Sequence, residues 1–228
     1  MISNIWNALL YKPLLAVLTF LISIVPFGDV GLAVIILTIL VKIILYPISQ
    51  KSIKNQAKMN VLTPEINALK KSGISKEEQA KQTFELYKKH KVNPFSGLFL
   101  ALIQIPIIFA LYYVFMKGIK IDVGYNMNFL GILDISQKSL VLAIIAGISQ
   151  YFQAHFMPKP PVSTDNTGSM AESFGKSMHM QMKYVFPFLI AFIAYRVSGA
   201  VALYWITSNI FTIGQQMYAN RNKTDGNK

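Results

Sequence analysis

The chain contains no cysteine, which excludes structural disulfides, thiolate metal sites and a lipid-modified cysteine anchor. Acidic residues are scarce, 10 against 22 lysines and arginines. After Asp29, no Asp or Glu falls inside any of the long apolar runs. No H-E-x-x-H pattern and no phosphate-cradling G-x-x-x-x-G-K-[ST] loop occur. The three histidines, His90, His155 and His179, share no metal-ligand spacing. No metal, no cofactor and no catalytic activity are therefore expected.

What the chain has in abundance is apolar length: 53% of its 228 residues are hydrophobic and 14% are charged. Runs this long need a bilayer, since a chain of this size builds no soluble core able to hide them. The net charge of +12 would suit nucleic acid, but its distribution argues otherwise. Lysines concentrate between Lys51 and Lys91, between two apolar segments, where the positive-inside rule puts basic loops against anionic headgroups. Sequence-specific nucleic-acid binding is not expected.

Five segments read as spans: Val30–Ser49, Ser96–Met116 with Pro106 inside it, Ser139–Met157, Tyr184–Val197 and Val201–Met217. The fourth is short and needs extension through Met178–Lys183 or a thinner bilayer. Ser198-Gly199-Ala200 reads as a tight turn between the last two, which then pair as antiparallel neighbours. Upstream, the uninterrupted run Leu14–Phe27 covers about 14 residues, short of the ~20 a span needs. Lys12-Pro13 interrupts it on one side, and Pro26, Gly28 and Asp29 on the other. No small-residue cleavage site follows, which argues against a cleaved signal peptide. An interfacial helix over residues 1–29 is the preferred reading, with a sixth span as the alternative.

The expectation is an all-α integral membrane protein. Five transmembrane helices occupy residues 30–217, preceded by the interfacial helix and interrupted by a cytoplasmic antiparallel helical hairpin over residues 50–92. A Pro- and Ser-rich mobile loop covers 158–183, and a short basic tail covers 218–228. The hairpin has its own signals. Ser75 and Glu78 have capping-box spacing, and Ser72-Gly73 supplies the stop before them. Ile53, Ala57, Val61, Ile66 and Leu69 on one arm, with Phe84, Leu86 and Tyr87 on the other, form an apolar seam.

Polar residues inside the spans follow a pattern. Thr38 and Lys42 are four apart and share a helix face. Gln104 stands alone in the second span, while Ser149, Gln150 and Gln153 lie late in the third. Trp205, Ser208, Asn209, Thr212 and Gln216 recur at helical spacing along one stripe of the fifth. With the N-terminus outside and the C-terminus inside, Lys42, Gln104, Ser149, Gln150, Gln153, Thr212 and Gln216 fall on the cytoplasmic side, Lys42 about 4 Å past its helix midpoint. The outer halves, such as Leu140–Ile148 and Phe188–Ala194, are nearly all apolar. That one-sidedness points to a wet recess open to the cytoplasm. A snorkelling anchor at Lys42 and helix–helix glue at Gln104 and in the fifth-span stripe are the alternatives.

Several ordered motifs resemble the YidC/Oxa/Alb insertase family. Gly31 to Thr38, Lys42 and Tyr46-Pro47 are similar to its first conserved span. Lys58-Met59 and Pro64 resemble the start of its cytoplasmic hairpin. Asn93-Pro94, Gln104-Ile105-Pro106 and Ala110 to Tyr113 resemble its second conserved span. Ser198-Gly199, Leu203 to Asn209 and Gln215-Gln216 resemble its last.

The resemblance implies an insertase and chaperone, in the bacterial inner membrane, that guides short hydrophobic proteins into the bilayer through a hydrophilic groove without nucleotide hydrolysis. The implied groove residues are Thr38, Lys42, Gln104, Ile108, Tyr204, Trp205 and Ser208. Implied partners are newly made membrane proteins and the lipid bilayer, with the Sec translocon and the ribosome as further candidates. The family's groove cation is usually arginine; lysine keeps the charge but loses the planar fork. A small transporter or channel is the rival reading. Against it stand the lack of a visible inverted repeat and of an acidic ion-coupling residue in the spans.

Loop charge generates a direct test of topology. Single cysteines at Ser72 and Ser169 should label from the cytoplasmic side and one at Ser136 from outside only. Outside labelling at Ser72 would reverse the orientation.

Overall fold

A computed structural model of the chain describes residues 6–93, 96–114, 125–157, 177 and 180–225. The loop expected to be mobile lies almost entirely outside the described residues. The described chain is mostly helical. Helix α1 (Asn7–Ile24) is followed by α2 (Val30–Val61), α3 (Thr63–Lys71), α4 (Lys76–Lys89) and α5 (Ser96–Tyr113). A two-stranded antiparallel ribbon, β1 (Asn128–Phe129) and β2 (Leu133–Asp134), precedes α6 (Leu140–Phe156), α7 (Phe186–Arg196) and α8 (Gly199–Asp225).

Two helices, Asn7–Ile24 and Val30–Met59, are long and apolar enough to cross a membrane, and α6 is a shorter apolar helix. Large apolar side chains face outward from the bundle: Ile43 and Ile44 on α2, Phe99 and Phe109 on α5, Val141 and Ile148 on α6, Phe188 and Phe192 on α7. In water such a surface would drive aggregation; in lipid it is the ordinary exterior.

Helix α1 runs through Lys12-Pro13 without a break. Its first turn, Asn7–Tyr11, is wound as a π-helix, and Pro13 sits at the start of the α-helical part, where its missing N–H costs little. Leu18, Leu21 and Ile22 bury one face in the same core as Val30, Ala33 and Val34 of α2. At its other end Trp6 meets Tyr113, on the last turn of α5, edge-on at 5.3 Å between ring centroids. The start of α2 and the end of α5 belong to one end of the bundle, so both ends of α1 meet that end.

Asp29 holds this end together. Its carboxylate is buried, and Oδ1 accepts the amides of Gly31 (2.8 Å) and Leu32 (3.1 Å), capping α2. Oδ2 accepts the amide of Leu130 in the ribbon turn at 2.8 Å. Backbone bonds Val30 N–H to Asn126 O and Asn126 N–H to Gly28 O add a second tie. Gly31 is required here, because a Cβ would lie 2.3 Å from the Phe129 ring.

Helix α6 sits between α7 and α8, which touch each other far less than each touches α6. The expected pairing of the last two helices is therefore corrected: small residues Ala143, Ala146, Gly147 and Ala154 let α6 approach both. A Cβ at Gly147 would lie 2.9 Å from the Pro187 carbonyl oxygen. A π-turn, Gln181–Val185, extends α7 backwards and supplies the length that the Tyr184–Val197 run lacks. Helix α8 continues past Met217 as far as Asp225, so the expected tail is largely helical.

At the opposite end, α2 runs on through Pro47 to Val61. The chain breaks at Leu62, restarts as α3 with Pro64 in its first turn, and turns at Ser72–Ser75, with Gly73 at φ +71°. The seam joins Met59, Leu62 and Ile66 to Leu86, Tyr87 and Val92. Val61 and Phe84, expected in it, point outward, Val61 at 73% exposure. Leu62, between the two helices, is buried in the seam instead. Lys58 is exposed on the last turn of α2. Ser75 Oγ accepts the Glu78 amide at 3.2 Å, as the spacing predicts. The reciprocal half of the box is missing, because Glu78 Oε1 instead accepts from Gln82 at 2.9 Å. Asn55 clamps the returning chain: its amide donates to Ser96 Oγ (2.7 Å), and its Oδ1 accepts the Asn93 amide (3.0 Å).

Replacing Asp29 by Ala leaves three amides without their acceptor, the Gly31 amide buried, and should cost about 1–3 kcal/mol, read as earlier thermal unfolding in detergent. Asp29→Asn keeps one acceptor oxygen and should lose less. An alanine variant as stable as wild type would remove Asp29 from this role.

Candidate functional site

The polar residues of the spans meet along α8. Lys42 Nζ, half-buried on α2, donates to Thr212 Oγ1 at 3.2 Å, and the Thr212 hydroxyl in turn donates to the Ser208 carbonyl at 2.8 Å. Ser208 and, one turn further back on the same helix, Tyr204 continue the row. Tyr204 is 1% exposed, and its hydroxyl accepts from the Gln104 amide of α5. The result is a row of polar residues, Lys42, Thr212, Ser208, Tyr204 and Gln104, tied across three helices at its two ends by the Lys42–Thr212 and Gln104–Tyr204 bonds.

An ammonium has three N–H donors. One of Lys42's reaches Thr212, and among the described residues no carboxylate forms an ion pair with it. A cation held this way in apolar surroundings has a strong electrostatic preference for an anion, because the local dielectric is low.

Two further interhelical pairs flank the line. Ser49 and Gln215 exchange hydrogen bonds between α2 and α8, the hydroxyl donating to Gln215 Oε1 at 3.2 Å and the Gln215 amide donating to Ser49 Oγ at 3.0 Å. Asn209 donates to Ser149 on α6 at 3.0 Å. The expected fifth-span stripe is thus divided: Thr212 serves the α2 side and Asn209 the α6 side. Gln216 is buried, and its Oε1 has no hydrogen-bond partner. Gln150 donates to Gln153 on its own helix at 2.8 Å.

The other expected groove residues lie close by. Thr38 shares the Lys42 face of α2 but is 1% exposed, and its hydroxyl donates to the Val34 carbonyl at 2.6 Å. Trp205 is buried in the central core, and Ile108 is partly buried against it. Gln104 is expected on the cytoplasmic side with the other polar residues. It pairs with Tyr204, two turns and about 12 Å along α8 from Thr212, not with the Lys42 end. Counting residues from a span's end ignores helix tilt and the reach of the Gln104 and Tyr204 side chains. Ser49, Gln215 and Asn55 were not singled out as contacts. Ser49 lies seven residues after Lys42, and Gln215 three after Thr212, so extending both stripes by two turns and one turn would have found that pair.

The family described as 60Kd inner membrane protein matches residues 20–227. The chain belongs to that family. Among its relatives, the YidC membrane protein insertase of Anaeromyxobacter sp. (strain Fw109-5) is 37% identical over 194 residues, covering 84% of this chain and 32% of the relative. The YidC insertase of Francisella tularensis subsp. novicida (strain U112) is 35% identical over 196 residues, covering 85% and 33%. The chain spans about a third of the length of these relatives. A solved structure described as an active YidC insertase with the first transmembrane domain resolved superposes with a TM-score of 0.59. It is 22% identical and covers 92% of this chain and 45% of that one, a likeness of fold. The resemblance to the YidC/Oxa/Alb family thus holds, and membership makes this an inner-membrane protein of the YidC type.

Proposed function

We propose that the protein is a membrane protein insertase that guides short hydrophobic proteins into the bilayer without nucleotide hydrolysis. The relatives' shared description as insertases supports the activity. The observation that carries the mechanism is the Lys42 cation, which pairs with no carboxylate among the described residues and sits at one end of a row of polar residues inside the bundle.

In this reading α2, α5, α6, α7 and α8 cross the membrane, with the hairpin, residues 50–92, and the C-terminus in the cytoplasm. Helix α1 lies along the outer leaflet, which its contacts with one end of the bundle at both of its own ends support. Lys42 attracts acidic residues in the hydrophilic segment of an incoming substrate. Gln104, Tyr204, Ser208 and Thr212 offer that segment exchangeable hydrogen bonds, shortening the apolar barrier it crosses. Thr38, Ile108 and Trp205 shape the apolar wall beside them. The substrate's own apolar helix leaves into lipid, and its burial there supplies the driving force. The hairpin, with Lys58, Met59 and Pro64 at its root and the Ser75–Glu78 cap at its tip, receives substrates first. Newly made membrane proteins and lipid are the partners, and the Sec translocon and ribosome are candidates for the same cytoplasmic face.

The Lys42 role is testable by charge reversal in proteoliposomes, using two substrates that differ only in tail charge. Lys42→Arg should keep activity. Lys42→Glu should lower insertion of the acidic-tailed substrate about tenfold or more, while sparing the neutral one. Equal insertion of both substrates by Lys42→Glu would reduce Lys42 to a headgroup anchor.

A further inference from the structure

A cleft of about 480 Å³ opens at the Gly199 end of the bundle, far from Lys42 along α8. Three segments build it: Tyr112 from the last turn of α5, Gln137 and Lys138 from the approach to α6, and Arg196 and Ser198 from the turn between α7 and α8. Two cations therefore face one opening. Among the described residues neither has an ion-pair partner, and the Arg196 guanidinium lies 5.0 Å from the Phe192 ring centroid. The nearest carboxylate in sequence, Asp134, is not part of the lining. It accepts the Ser136 hydroxyl at 2.6 Å and the Gln137 amide at 2.9 Å.

Ser198 makes this cleft more than a charged surface. It is 8% exposed, it lines the cleft, and its hydroxyl has no hydrogen-bond partner. An unpaired buried hydroxyl costs about 1–3 kcal/mol, so its persistence calls for an acceptor that arrives from outside. The first amides of α8 do not play this part, because Gly199 N–H donates to the Gln137 carbonyl and Ala200 N–H to the Ile135 carbonyl. The free donors are the side chains of Ser198, Arg196 and Lys138, a set suited to phosphate oxygens.

Directly beside Lys138, the first turns of α6 expose Leu140, Val141 and Ile144. A ligand with its phosphate in the cleft therefore has an apolar wall on which to lay hydrocarbon. We propose that this cleft binds the phosphodiester headgroup of an anionic phospholipid, with its acyl chains along that face of α6. The inference rests on the membrane reading above but not on insertion activity, and its test is a binding measurement.

The full chain, purified in neutral detergent, is unfolded thermally with added phosphatidylglycerol, phosphatidylcholine or inorganic phosphate. Phosphatidylglycerol should raise the midpoint with dose, and the other two should not. The double variant Lys138→Gln/Arg196→Gln should need about tenfold more phosphatidylglycerol for the half-maximal shift, while Arg196→Lys should respond nearly as wild type. Ser198→Ala should weaken the lipid response severalfold without lowering the lipid-free midpoint, which loss of a structural hydroxyl would do. If the double variant does not fold, the single Lys138→Gln variant carries the comparison. An unchanged lipid response in the charge variants would overturn the site. An equal shift from inorganic phosphate would overturn the lipid as its ligand. A failed Lys42 assay with the lipid response intact would instead count against the insertase reading alone.

Discussion

Inside hydrocarbon no water is available to satisfy a polar side chain, so every such group must find its partner on a neighbouring helix or on its own backbone. Helix α8 is where most of these partners meet: Gln104 at Tyr204, Ser149 at Asn209, Lys42 at Thr212 and Ser49 at Gln215. The same bonds that let polar groups survive in the bundle also fix α2, α5 and α6 around α8. Lys42 stands apart because a hydroxyl satisfies one of its donors and no carboxylate among the described residues pairs with its charge. Packing glue is neutral; a lone cation is the expensive element, and the proposed mechanism gives that expense a use.

The two ends of the bundle are closed by different devices. Asp29 draws the start of α2 and the ribbon turn together through three amides, and α1 lies against this end through the buried Leu18–Ile22 face and the Trp6–Tyr113 contact. At the other end Asn55 pins the returning chain to α2, so the small apolar seam of the hairpin is not alone in holding α3 and α4. The proposed substrate path thus lies in a bundle braced at both ends, while the cationic cleft beside Arg196 belongs to the end remote from the hairpin.

Much of this was legible in the sequence because helices advertise themselves locally. Apolar runs gave the ranges of α5 and α6 to within a few residues, Gly73 marked the turn, and Ser75 capped α4 as its spacing required. The face shared by Thr38 and Lys42, and the polar stripe of α8, followed from helical spacing alone. What spacing cannot encode is which neighbour a polar face meets. Nothing in the spacing pairs Gln104 with Tyr204, and Asn209 and Thr212, three residues apart, turn to different helices. The adjacent apolar residues Val61 and Leu62 gave no sign of which would turn inward; Leu62 is buried and Val61 exposed. The small residues of α6 looked like ordinary apolar sequence until α7 and α8 were seen packed against them. Ser198 read only as part of a turn, since an unpaired hydroxyl is visible only once its surroundings are known.

The central claim is that burial of a substrate's apolar helix in lipid, assisted by this bundle, is enough to insert it. Wild-type protein reconstituted alone into sealed, nucleotide-free liposomes tests it most directly, with one single-span substrate scored for a protease-protected tail and an ion-sensitive dye in the lumen. The account predicts protection well above protein-free liposomes and no ion flux. Protection at the protein-free level, or ion flux without insertion, would contradict it.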